Sequence, residues 1–139
     1  MNPDRQNKPI VALTLGDAAG VGPETIAGAW AAGDVHACCR PFVVGHPKVL
    51  QRAVELVGGR QTVVPFAASD EIQDALDAGD SKRQIPCLSA CNDDVCGVRP
   101  GRVDGRAGQG AFDAIMSAVD LARTGQVDAI VTAPICKEA

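Results

Sequence analysis

At 139 residues and 14.3 kDa, the chain is long enough for one domain with its own hydrophobic core. Its formal charge of −4, without a basic face or interleaved aromatic residues, argues against nucleic-acid binding. No run approaches the ~18 apolar residues of a membrane span, and the polar first nine residues lack a signal-peptide core, so the chain reads as cytoplasmic. Trp30, Phe42, Phe66 and Phe112 are the only aromatics. Alanine, valine, isoleucine and leucine must therefore build the interior.

In chain order, residues 1–7 read as a frayed polar tail. A strand is predicted over Ile10 to Leu15, and a helix over Pro23 to Ala32 that Gly33-Asp34 ends. Pro41 to Gly45 is a second buried strand. His46-Pro47 opens a helix reaching about Val57, with Val49, Leu50, Ala53, Val54 and Val57 on one face. Thr62 to Phe66 is a third strand, followed by a helix through Ala78 for which Ser69 is the candidate cap. Ile85 to Leu88 is a weak fourth strand, and Asn92 to Gly105 reads as loop. The clearest helix runs from about Arg106 to Thr124, with a small-residue stripe of Ala107, Ala111, Ala114, Ile115, Ala118, Val119 and Ala122. Val127 to Thr132 closes the series as an apolar strand of parallel-sheet type. Strands alternating with helices predict an α/β fold, a three-layer α/β/α arrangement with a mainly parallel sheet.

Two loops stand out. Gly16 to Glu24 places three glycines and Pro23 between a strand and a helix, which suits close backbone approach to an anion at a helix start. It is not a dinucleotide fingerprint, because Thr25 stands where a third glycine belongs, nor a Walker loop. Ala133 to Ala139 follows the last strand. In parallel sheets both loops would lie at the carboxyl edge, where ligands bind. Asp17, Gly20, Gly22, Thr132 and Lys137 are the candidate substrate- or phosphate-binding residues. Asp17 has a competing reading as a turn cap, and Lys137 as an exposed lysine. His36 and His46 read as surface or loop histidines. Among the six cysteines no CxxC occurs; a metal cluster of Cys87, Cys91 and Cys96 is the alternative to plain reduced thiols, which is the reading adopted.

GDAAGVGPE (Gly16–Glu24) resembles the GDPAGIGPE-type signature of the 4-hydroxythreonine-4-phosphate dehydrogenase family, with Ala18 in place of the usual proline. Val127–Ala139 resembles that family's DAIVTAPINKEA segment, and Gly101–Gly110 the stretch leading into its central helix. The resemblance covers the whole chain but only about the first two-fifths of a family member. It implies an isocitrate/isopropylmalate dehydrogenase-like fold, left incomplete here: residues 1–139 would be the amino-terminal segment of a longer two-domain enzyme, or a truncated product. It further implies a homodimer with its active site between domains, oxidation of 4-phosphohydroxy-L-threonine with NAD for pyridoxal phosphate biosynthesis, and a divalent metal (zinc, magnesium or cobalt) held by three histidines. Those histidines, and a substrate-contacting His-Thr pair, would lie beyond Ala139. The fragment alone would then bind neither metal nor cofactor and be inactive. The alternatives are a threonate or erythronate 4-phosphate dehydrogenase, a non-catalytic phosphate-ligand module, or a cysteine-based metal binder.

Overall fold

The structure, a computed structural model, describes residues 6–139; the first five residues of the expected polar tail lie outside the described residues. Five runs of β-branched and apolar residues form strands: β1 (Ile10–Thr14), β2 (Arg40–Gly45), β3 (Thr62–Phe66), β4 (Gln84–Ser89) and β5 (Ala129–Thr132). Between them lie α1 (Gly22–Ala32), α2 (Val35–Cys38), α3 (Pro47–Leu56), α4 (Ile72–Asp77) and α5 (Gly105–Arg123). Every strand pairing is parallel and the order is β3-β4-β2-β1-β5.

The two faces of the sheet are covered by different helices. One core joins Ile26, Ala27 and Trp30 of α1 to Val49, Leu50, Ala53 and Val54 of α3. The other joins Ile72 and Leu76 of α4 to Ala114, Ala118 and Leu121 of α5. Strand side chains alternate between them as the pleat requires, with Leu13 and Val43 on the first side and Ala12, Phe42 and Val44 on the second. This is the three-layer α/β/α arrangement. The chain leaves β1 through α1 on one face and returns through α5 on the other to lay β5 beside β1. The neighbours β2 and β4 send their connections to opposite faces, so the switch point at which open α/β sheets build their crevices falls between these two strands.

Several expectations are corrected. Gly33 does end the first helix, in a left-handed conformation (φ 83°), but a further helical turn, α2, follows it. Ser69 is no cap: Ser69–Glu71 is a 3₁₀ turn preceded by Ala68, which makes no side-chain cap bond. The stretch read as loop contains a 3₁₀ turn, Asp93–Gly97, whose Val95 is buried. The long helix starts at Gly105 because Asp104 caps it, its Oδ1 accepting the Arg106 N–H at 2.9 Å. Hydrogen bonds from Arg106 hold the Asp104 carboxyl below its ordinary value of 3.8. In the stripe, Gly110 and Leu121 are buried while Ala122 is exposed. Val57, expected on the buried face of α3, is 43% exposed.

Val127–Thr132 departs most. The paired strand is only Ala129–Thr132, and it is an edge with β1 as its neighbour among the described residues. Val131 is 55% exposed, so the strand is not of the doubly covered type.

His46 is likewise not a surface residue: it is 5% exposed. It caps α3, Nδ1 accepting the Lys48 N–H at 3.2 Å, while Nε2 donates to Asp93 Oδ1 at 2.8 Å. The bond from His46 holds the Asp93 carboxyl below its ordinary value. His46→Ala should lower stability by about 1 kcal/mol, the usual worth of a lost cap. His46→Asn, which can still cap, should recover most of it in urea denaturation. Equal losses for both would dismiss the cap.

Candidate functional site

The parallel pairing of β1 with β5 brings the two signature loops together. Thr14 and Thr132 are register partners at the strand ends, and the Ala133 N–H continues the ladder to the Thr14 carbonyl at 3.1 Å. One residue on, the Asp17 N–H donates to the Pro134 carbonyl at 3.1 Å. Gly16–Gly22 and Ala133–Ala139 thus form one rim at the carboxyl edge of the sheet.

Two glycines are required by that contact. Gly16 has φ +77°, and a Cβ there would stand 2.5 Å from the Pro134 carbonyl oxygen. At Gly22 a Cβ would stand 2.6 Å from the Leu15 carbonyl oxygen and 3.3 Å from the Ala133 side chain. Gly20 differs. It is exposed, and a Cβ would meet nothing nearer than Asp17 at 3.5 Å.

Asp17 is 6% exposed, and its Oδ1 accepts the Ala19 N–H at 2.8 Å while its carbonyl accepts the Gly20 N–H at 3.0 Å. Its carboxylate therefore shapes the turn from within. The turn delivers the chain to the start of α1, where Val21 provides no side-chain cap and Pro23 occupies the first turn. The positive end of that helix dipole faces the rim. Its own Glu24, in the first turn, already sets one negative charge there.

Other segments complete the edge. Gly101 N–H donates to the Ala19 carbonyl at 2.7 Å, tying the loop after β4 to the glycine loop. His46 follows β2, and Cys96 lies 3.6 Å from both of its ring nitrogens, hence over the ring face. Ala139 lies against the first turn of α5, where a Cβ on Gly108 would overlap it. Lys137 sits in an exposed turn of that last segment, and Thr132 is exposed at the end of β5.

Among the described residues, no group of three His, Cys, Asp or Glu side chains converges as a metal site. Both histidines are engaged elsewhere: His46 as above, His36 edge-on against Trp30 with ring centroids 4.8 Å apart. All six cysteines are free. Cys87 is fully buried, Cys91 donates to the Gly110 carbonyl, and Cys96 faces His46, so these three do not form one cluster. The donors present do not fit a three-histidine metal.

Sequence reading named the two loops but missed His46, Asp93 and Cys96 at the same edge. A histidine immediately before proline at a helix start was the available signal, since that is a cap position.

Comparison with known proteins agrees with this architecture. Two proteins carrying the provisional name D-threonate 4-phosphate dehydrogenase, from Symbiobacterium thermophilum and Clostridium botulinum strain Hall, are 36% and 33% identical over 132 residues. These alignments cover 95% of this chain and 38% of each relative. The crystal structure of a 4-hydroxythreonine-4-phosphate dehydrogenase from Burkholderia phymatum superposes with a TM-score of 0.80 at 38% identity, covering 94% of this chain and 38% of that one. The chain thus spans well under half the length of the relatives it matches. The family described as pyridoxal phosphate biosynthetic protein PdxA matches residues 37–139, and the chain belongs to that family.

Proposed function

We propose that the chain is the amino-terminal portion of a two-domain, homodimeric, cytoplasmic dehydrogenase that oxidises a phosphorylated four-carbon hydroxy acid with NAD. The observation that carries this reading is the joining of Gly16–Gly22 to Ala133–Ala139 across the β1–β5 pair, through the Asp17–Pro134 bond. In this reading the chain supplies a rim of the substrate cleft. Backbone N–H groups of the glycine loop and the start of α1 face the anionic part of the substrate. Lys137, three residues beyond Pro134, pairs with its phosphate or carboxylate, and Thr132 flanks it. Asp17 keeps the loop in shape, and Gly20, which has room around it, is the glycine a ligand can approach.

NAD accepts the hydride and a divalent metal polarises the alcohol oxygen when the whole enzyme is assembled. The described donors do not fit that metal, so no step through it is assigned to this chain. Two substrates compete. The names of the Clostridium and Symbiobacterium relatives favour D-threonate 4-phosphate, whereas that of the Burkholderia structure favours 4-phosphohydroxy-L-threonine, the pyridoxal phosphate route.

The test starts with the intact mass of the protein from its native source. A mass well above 14.3 kDa supports the longer enzyme. A mass equal to it replaces this reading with a phosphate-ligand module that binds without turnover. In the longer protein, Lys137→Ala should raise KM for the phosphorylated substrate roughly tenfold or more, as expected for one lost charge-assisted hydrogen bond. Unchanged KM and kcat would remove Lys137 from the site.

A further inference from the structure

Cys38 and Cys39 are adjacent at the junction of α2 and β2, before the amino end of β2, and the groove they line runs on to Thr132, Ala133 and Pro134 of the rim. Both thiols donate to one acceptor, the Val35 carbonyl, at 3.4 and 3.3 Å. Cys38 is exposed and Cys39 is buried. Both line an open groove of about 520 Å³ whose other walls include Val11, Leu13, Ile26 and Val131. Two sulfurs therefore point to one place at the mouth of an apolar trough.

The obvious fate of such a pair, a disulfide, is disfavoured by geometry. Adjacent Cα atoms are about 3.8 Å apart across a trans peptide, whereas a disulfide needs roughly 4.4–6.8 Å. Among the described residues there is no cis peptide. Burial, and then the neighbouring Cys38 thiol, push the Cys39 thiol up to about 11. It therefore stays protonated at neutral pH, which slows exchange with disulfides. A larger bridging atom with longer bonds to sulfur escapes the geometric restriction.

We propose that Cys38 and Cys39 form a chelating dithiol site for a trivalent organoarsenical, with its apolar substituent lying in the groove. The reaction involves no change of oxidation state. An R–As=O compound meets two S–H groups, two As–S bonds form, the As=O bond breaks, and both thiol protons leave with its oxygen as one water. The groove accounts for a preference for an aryl substituent, since its walls bury apolar surface.

The test uses the chain Met1–Ala139 with phenylarsine oxide, read by intact mass. The expected result is one arsenical per chain with loss of one water, reversed by 2,3-dimercaptopropanol. Cys38→Ser and Cys39→Ser should each abolish the adduct, whereas Cys91→Ser, Cys96→Ser and Cys136→Ser should retain it. A serine at position 38 keeps a donor for the Val35 carbonyl at an exposed site, so that variant should fold like the parent. Inorganic arsenite, lacking the aryl group, should bind at least tenfold more weakly. An adduct surviving in Cys38→Ser would overturn the site, as would no adduct on a chain whose Cys38 still reacts with iodoacetamide. Equal binding of arsenite would overturn the part assigned to the groove.

Discussion

Replacing Gly16 with alanine should destabilise the chain by about 3 kcal/mol, a large share of the roughly 5–15 kcal/mol of an ordinary domain. Two independent effects act at this position. A left-handed backbone costs a residue with a Cβ about 1–2 kcal/mol. The new methyl would also stand 2.5 Å from the Pro134 carbonyl oxygen, which is backbone and cannot rotate away. Relief requires the Gly16 loop and the Pro134 segment to separate, which strains the 3.1 Å Asp17–Pro134 bond and opens the rim. Gly20→Ala is the control. Its Cβ would have ordinary contacts, so the change should stay within about 0.5 kcal/mol. Urea denaturation followed by fluorescence of the single tryptophan measures both. Similar midpoints for the two variants would refute the close packing of the two loops.

The second large effect is expected at Trp30. It is 2% exposed, sits in the core between α1 and α3, and donates from Nε1 to the Ser81 carbonyl at 2.9 Å. Its ring also meets His36 edge-on. Trp30→Ala should cost about 3–5 kcal/mol through the cavity it leaves, with the Ser81 carbonyl losing its donor as well. Trp30→Phe fills most of the cavity without the N–H, so it should recover the larger part. Circular dichroism during thermal denaturation reads these variants, since the fluorophore is gone. If Trp30→Phe is as damaging as Trp30→Ala, the hydrogen bond rather than the packed volume dominates.

Much of this architecture is legible in the residues, for reasons that also mark where legibility ends. Runs such as Phe42-Val43-Val44, bounded by Pro41 and Gly45, and Thr62–Phe66 report strands because sheet packing selects β-branched and aromatic side chains locally. The face of α3 is readable from its 3.6-residue spacing. Strand order is different in kind. Nothing in the spacing of Val127–Thr132 says that its neighbour is β1, or that its other side lacks one among the described residues. Its apolar composition marks a strand built to be covered, and as an edge among the described residues it leaves Val131 exposed. His46 failed for a similar reason: its neighbours place it at a helix start, but its burial and its bond to Asp93, 47 positions away, belong to the tertiary fold. At the rim, the glycines and Lys137 are visible as motifs. That Asp17 turns inward to Ala19 is settled only by the three-dimensional path of the loop.

The β1–β5 pair has a consequence for how the site comes into being. It joins residues as far apart as Ile10 and Asp128, whose side chain accepts the Ile10 N–H across 118 positions. Closing so long a loop carries an entropic penalty that local elements avoid, and contacts of this range are repaid late in folding. The β3–β4 pair joins strands consecutive in the chain, whereas the rim exists only after the two extremes of the described chain have met. Among the described residues β5, like β3 at the other edge, is held by one ladder of hydrogen bonds rather than two, and so less firmly than the central strands. The rim therefore depends both on a contact between distant parts of the chain and on an edge strand held from one side only among the described residues.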